Sequence, residues 1–304
     1  VVQVSPQTGP TAGGTLLTIV GDNFGLNPVV DVDGRDCAVV FATHNEVRCR
    51  TPEGEGESLA GGVFVDGQLA QFDFGYLPPS IDAVTPQEVP TRGGTITIHG
   101  SNFGLAPSVT FDGRPCVSSS TNHGEIVCRM PEGEGAGGAL DVVSGGQLTS
   151  WTGALGYAAP TLESITPQTG PTAGGTRLTI HGDNFGTTSS VTIGGQACVV
   201  DAQDPGNIPH LQTVCVLPAG EGTALDVNLD AGGRLAEGLT FSYAPPSLSS
   251  VTPAEIPRAG GVRLTIRGEN FGLTPSVTVG GTACEVDPTT STHTSVECVA
   301  PAGS

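Results

Sequence analysis

One stretch, Pro6-Gln-Thr-Gly-Pro-Thr-Ala-Gly-Gly-Thr-Leu-Leu-Thr-Ile-Val-Gly-Asp-Asn-Phe-Gly25, returns three more times, from Pro86, Pro167 and Pro253, and any fold for the chain has to accommodate that recurrence. Each copy has an early Pro, a Gly-Gly pair, a short alternating apolar run and then Gly-x-Asn-Phe-Gly. A period of roughly 80 residues exceeds that of solenoid repeats and fits a string of small domains. The expected units are residues 1–79, 80–160, 161–246 and 247–304, the last incomplete at its C-terminal end. A start at Val1 without Met and an end in mid-unit are expected of a piece of a longer protein, so leader, anchor or further domains are not judged from it.

Within a unit the pattern reads as strands. Leu17 and Ile19 point one way and Thr18 the other, and Ile96/Thr97/Ile98, Leu178/Thr179/Ile180 and Leu264/Thr265/Ile266 repeat the alternation of a half-buried strand. The Gly-x-Asn-Phe-Gly element suits a tight turn in which Asn and Gly take positive φ and Phe24 folds inward. Asp33-Gly34, Asp112-Gly113, Gly194-Gly195 and Gly280-Gly281 suit two-residue type I′ hairpin turns. No run has helical periodicity. The expected class is all-β, with about seven short strands per sandwich. Pro-rich connections such as Leu77-Pro78-Pro79-Ser80 are short and stiff, which predicts a semi-rigid rod.

Aromatic content of 5% and 46 Gly leave each unit short of apolar area, so covalent help is expected. Eight Cys fall two per unit: Cys37 and Cys49, Cys116 and Cys128, Cys198 and Cys215, Cys284 and Cys298. Recurrent even spacing argues for one disulfide per unit and an oxidising compartment. Closing such a loop is worth about 3 kcal/mol in the chain-entropy model. Zinc is the alternative, but the chain lacks a Cys-x-x-Cys knuckle.

Eleven Arg, no Lys and 30 carboxylates give a net charge of −19, which disfavours nucleic acid as a partner. The acidity fits a soluble surface protein, with weak calcium binding as the sharper alternative. Asp31-Val-Asp33-Gly-Arg-Asp36 has the look of a calcium loop, but it lacks the later bidentate Glu and reads as hairpin chemistry. Glu53-Gly-Glu55, Glu132-Gly-Glu134 and Glu221 recur on one Gly-rich loop, where solvated carboxylates are expected rather than an acid-base pair. No cofactor is expected, and no nucleophile elbow, zinc-protease or phosphate-loop motif is present. A His lies five residues before the second Cys of every unit, at His44, His123, His210 and His293. Two readings stay open for it: a ring packed on the disulfide or a backbone carbonyl, or a repeated lateral contact between neighbouring chains.

Pro…Gly-Gly-Thr-x-Leu-Thr-Ile-x-Gly-x-Asn-Phe-Gly, followed by Val-x-Val-x-Gly-x-x-Cys and Cys49-Arg50-Thr51-Pro52, resembles the IPT/TIG family of immunoglobulin-like domains over essentially the whole chain. That resemblance implies the sandwich fold and is broad in function, since the family occurs in plexin and fibrocystin-like ectodomains, in Rel-type transcription factors and beside starch-active enzymes. The architecture is also similar to that of algal mastigoneme-type surface glycoproteins. The resulting expectation is a non-enzymatic structural or adhesive segment of an extracellular filament, cell coat or ciliary or flagellar appendage. It would act through contacts with copies of itself or other surface proteins, and touch a membrane only through segments outside this stretch. The competing expectation is the ligand-binding ectodomain of a plexin-like or fibrocystin-like receptor. A third, an accessory module of a polysaccharide-active enzyme, has few aromatic platforms to draw on. The enlarged Asp201–Thr213 loop of the third unit is the expected protruding contact.

Overall fold

The computed structural model describes residues 1–303, and Ser304, the last residue of the fourth expected unit, lies outside the described residues. None of the described residues is helical. The chain divides into two compact units, Val1–Ala158 and Ala159–Ser304, each holding two repeats.

Repeat 1 shows how the sequence builds a sandwich. One sheet orders its strands Gln3–Ser5, Leu16–Val20, Glu46–Arg50 and Ala38–Ala42. The facing sheet orders Thr8–Gly9, Gln68–Tyr76, Leu59–Val65, Val29–Val32 and Arg35–Asp36. Leu17, Ile19, Val30, Val32, Val47 and Phe74 meet between the two sheets and are buried, while the alternate residues face out. Repeats 2 and 3 enclose equivalent cores. Each repeat is closed by one disulfide, Cys37–Cys49, Cys116–Cys128, Cys198–Cys215 and Cys284–Cys298, across sequence separations of 12, 12, 17 and 14. No described cysteine is free.

The turns take the backbone the sequence predicts. Asn23, Asn102, Asn184 and Asn270 have φ between 58° and 65°, and Phe24, Phe103 and Phe185 plug the cores behind them. Asp33-Gly34, Asp112-Gly113, Gly194-Gly195 and Gly280-Gly281 all have positive φ at both positions, as a type I′ turn requires.

Two features depart from the sequence reading. The stretch after Pro6 is more than a loop: Thr8–Gly9 crosses to the other sheet and pairs in parallel with Gln68–Tyr76, and Glu88–Val89 and Thr169–Gly170 do the same in repeats 2 and 3. Repeat 1 thus has nine strands rather than about seven, two of them only two residues long. In repeat 3 the Gln196–Val200 strand pairs with both Ser190–Ile193 and Gln212–Val216, joining the two sheets into one of eight strands.

Repeat 4 has a single five-stranded sheet, and among its described residues nothing corresponds to the hairpin formed by Leu59–Val65 and Gln68–Tyr76 in repeat 1. Its apolar residues line an open trough of about 580 Å³ that includes Leu248, Val251, Leu264, Ile266 and Phe271.

Candidate docking site at the repeat joints

The side chains that do more than hold a sandwich together gather where one repeat of a unit meets the next. The construction starts with a tyrosine. Tyr76, at the end of the last strand of repeat 1, is buried, and its hydroxyl donates to the Pro52 carbonyl at 2.9 Å. Its ring covers Gly54, where a Cβ would sit 2.5 Å from the ring, and its amide donates to the Gly56 carbonyl at 2.7 Å. Only glycine fits on both sides of Glu55, since Gly56 also takes φ +110°. Tyr243 repeats the arrangement around Gly220 and Gly222, with its hydroxyl 2.8 Å from the Pro218 carbonyl. Burial pushes the Tyr76 and Tyr243 hydroxyls above the usual tyrosine range.

Glu55 and Glu221 are thereby presented on a fixed loop, and each meets the Asn-Phe-Gly turn of the following repeat. Asn102 at φ 58° and Gly104 at φ 70° bend that backbone so that successive amides converge on one point, the geometry of an anion-binding nest. Glu55 Oε2 accepts from the amides of Leu105 at 2.7 Å and Ala106 at 3.2 Å. In the second unit Glu221 Oε2 accepts from Leu273 at 2.7 Å and Thr274 at 3.1 Å. A hydroxyl completes each clamp from a different place: Ser144 donates to Glu55 at 3.1 Å, and the Thr274 hydroxyl donates to Glu221. The hydroxyl and amide of Thr274, then the Leu273 amide and His293, hold the Glu221 carboxyl below the usual carboxylate range. Glu55 is half-buried, which corrects the sequence reading of a solvated carboxylate there, whereas Glu221 remains exposed to solvent as expected; both are bound to backbone amides of the next repeat. A side chain at Gly104 or Gly272 would run into those same carboxylates.

Two further residues of the following repeat lock onto the Pro-Thr-x-Gly-Gly loop of the preceding one. His123 Nδ1 lies 2.9 Å from Thr11 Oγ1, and His293 Nδ1 lies 2.9 Å from Thr172 Oγ1. Asn102 Oδ1 accepts from the Thr11 amide at 3.3 Å while its Nδ2 donates to the linker carbonyl of Pro78 at 3.3 Å. Asn270 does the same between Thr172 at 3.2 Å and Pro245 at 3.4 Å. One asparagine thus ties a loop and a linker of the preceding repeat to its own turn. The threonines are buried, at 1% and 3% exposure, although they lie at the end of their own sandwich.

Residues 1–76, 79–157, 160–243 and 246–304 each match the IPT/TIG domain. The chain belongs to the IPT/TIG family. Its TIG domains are similar along 96% of the chain to human fibrocystin-L, at 29% identity, and over 37% of the chain to human plexin-B1, at 40% identity. The chain spans about 7% of the length of fibrocystin-L and 6% of plexin-B1. Among solved structures, the full extracellular region of plexin A4 matches 99% of the chain at 19% identity with a TM-score of 0.32, and the match covers 28% of that structure.

The four histidines occupy three settings in their TIG domains. His123 and His293, candidate contacts between chains in the sequence reading, each place a ring nitrogen on a threonine of the preceding domain of their own chain. His123 Nε2 also lies 3.5 Å from Glu53. His44 is exposed. His210 is buried at φ +70°, with its amide donating to Gly186. The Asp201–Thr213 loop around it is braced, since Asp204 pairs with Arg177 and Asn207 Oδ1 accepts from the Val214 amide at 2.7 Å. Among the described residues no group of three or more His, Cys, Asp or Glu is clustered to hold a metal ion.

Sequence reasoning missed Thr11, Thr172, Glu55 and Glu221 as joint residues, and saw in Asn102 and Asn270 only their backbone. One signal was available, the recurrence of Gly-Glu-Gly at 54–56, 133–135 and 220–222, where flanking glycines mark a carboxylate held at close quarters.

Proposed function

We propose that this chain is a segment of the extracellular region of a plexin-like or fibrocystin-like cell-surface receptor, in which braced pairs of TIG domains hold protein-binding surfaces at a set separation and carry out no chemistry themselves. The observation that carries the reading is the similarity to fibrocystin-L along nearly the whole chain, backed by shorter matches to plexins. Four closed disulfides agree with an oxidising, extracellular setting. The joints support a supporting role, because their carboxylate clamps and His–Thr contacts recur in both units with nearly equal distances. The expectation of a filament or of a ciliary or mastigoneme-like appendage draws no support from these relatives.

Repeat 1 offers a protein-contact surface of suitable composition. Its outward-facing Leu16, Val20 and Phe41 are exposed, and the Arg48 guanidinium lies 5.1 Å over the Phe41 ring. Aromatic, aliphatic and arginine side chains together are the composition of interface centres. The corresponding outward pair on the second strand is Thr95 and His99 in repeat 2, Arg177 and His181 in repeat 3, and Arg263 and Arg267 in repeat 4.

The test is to express the full reading frame with a tag inserted within this segment and stain intact cells. Labelling without permeabilisation, together with a membrane-spanning stretch elsewhere in the frame, is the expected result. Secretion into an ordered polymer with no membrane-bound fraction would overturn it.

A further inference from the structure

Repeat 1 carries most parts of the joints at its own leading end but lacks the clamp hydroxyl, since Val65 stands where repeat 2 has Ser144 and Asn27 where repeat 4 has Thr274. Asn23, Gly25, Leu26, Asn27 and His44 stand where repeat 2 has Asn102, Gly104, Leu105, Ala106 and His123. The local backbone is the same: Asn23 and Gly25 have φ of 65° and 67°, against 58° and 70° in repeat 2 and 58° and 78° in repeat 4. In all three repeats the Phe amide donates to the His carbonyl, Phe24 to His44 at 3.0 Å, Phe103 to His123 at 3.1 Å and Phe271 to His293 at 2.9 Å, so the histidine and the amide nest are held together. The difference is coverage. His44 and Asn23 are exposed where His123, His293, Asn102 and Asn270 are half-buried, and no carboxylate lies near Gly25.

We infer that this end of repeat 1 is a socket for the trailing end of a TIG domain joined ahead of Val1. The mate would present a Gly-Glu-Gly carboxylate to the Leu26 and Asn27 amides and a Pro-Thr-x-Gly-Gly threonine to His44 and Asn23. The occupant is specified by the two filled sockets, in which a carboxylate, a threonine hydroxyl and a threonine amide are bound at once. The nest is preformed where it is uncovered, so its shape does not depend on an occupant. Asp66 sets a limit on the mate. It stands where repeat 2 has Gly145, whose place beside Gly56 leaves no room for a Cβ, so the mate has to sit slightly away from that hairpin. The inference depends on joint geometry alone, and the receptor reading can fail without touching it.

The test fuses a copy of residues 160–247 in front of Val1, which preserves the spacing between linker and first strand found before repeat 4, and follows amide hydrogen exchange by NMR in the full chain. Exchange at Leu26 and Asn27 is expected to slow about tenfold, the worth of one charge-assisted hydrogen bond, toward the rates of Leu105 and Ala106 in the same molecule. Glu221→Ala in the fused copy is expected to abolish that slowing, and Asp66→Gly to increase it. Unchanged exchange in the fusion, slowing that appears only with Asp66→Gly, or slowing that survives Glu221→Ala in the fused copy would each overturn the proposal. Exchange within the Leu16–Val20 strand reports whether repeat 1 itself remains folded.

Discussion

His123 and Thr11 lie 112 residues apart in sequence and 2.9 Å apart in space, and His293 and Thr172, 121 residues apart, reproduce the distance. A contact made twice by the same residue types on different pairs of domains is a property of the repeat. It couples the cystine loop of one domain to the glycine loop of the domain before it. Thr11→Val keeps the shape, removes the hydroxyl and leaves a ring nitrogen without its partner, at a cost of about 1–3 kcal/mol. That cost is expected in the joint: amide exchange across residues 102–106 accelerates while the core strands of repeats 1 and 2 keep their protection.

The second joint is expected to loosen in acid. The Glu221 carboxyl is held below its ordinary value of 4.5, first by the Thr274 hydroxyl. A depressed folded value means that the carboxylate stabilises above the unfolded value and that this contribution disappears as pH falls through the folded one. Exchange at Leu273 and Thr274, corrected for its intrinsic pH dependence, therefore rises as pH falls below about 4.5, the unfolded value. Glu221→Gln flattens the profile and has faster exchange at neutral pH.

Gly104 has φ +70°, and a Cβ there would enter the space of the Glu55 carboxylate. Gly104→Ala combines backbone strain with displacement of the clamp and is expected to destabilise by more than about 1 kcal/mol. Gly113→Ala, at φ +72° with open space around it, carries the strain alone. A larger fall in melting temperature and faster Leu105 exchange in the first variant would separate the two effects.

Each disulfide closes a loop of similar length, across separations of 12 to 17 residues, so chain entropy assigns each about 3 kcal/mol. Reduction is expected to lower every repeat's stability by a comparable amount, read as denaturant midpoints with and without reductant. A marked loss confined to one repeat would contradict the loop-entropy account.

The interior of each domain was legible in the sequence because its causes are local. Alternation at Leu17, Thr18 and Ile19 fixes which side of the strand is buried, and Asp33-Gly34 admits the tight turn that folds the next strand back. The cystine pairs follow from their recurrence. The parallel crossing at Thr8–Gly9 was not legible, since two residues carry no periodicity and their pairing depends on a strand some 65 residues later.

By itself, then, the sequence determined the number of domains, their all-β class and the backbone of their turns, because periodicity, glycine and asparagine act within a few residues. Only the tertiary structure decided what Glu55, Glu221, Thr11 and Thr172 do. A carboxylate on a glycine loop and a threonine after a proline look solvent-facing in their own domain, and they become joint residues once a neighbouring domain brings amides and a histidine ring within hydrogen-bonding distance. Within each unit, direction and distance between the paired domains are set by that packing and are not written in the spacing along the chain.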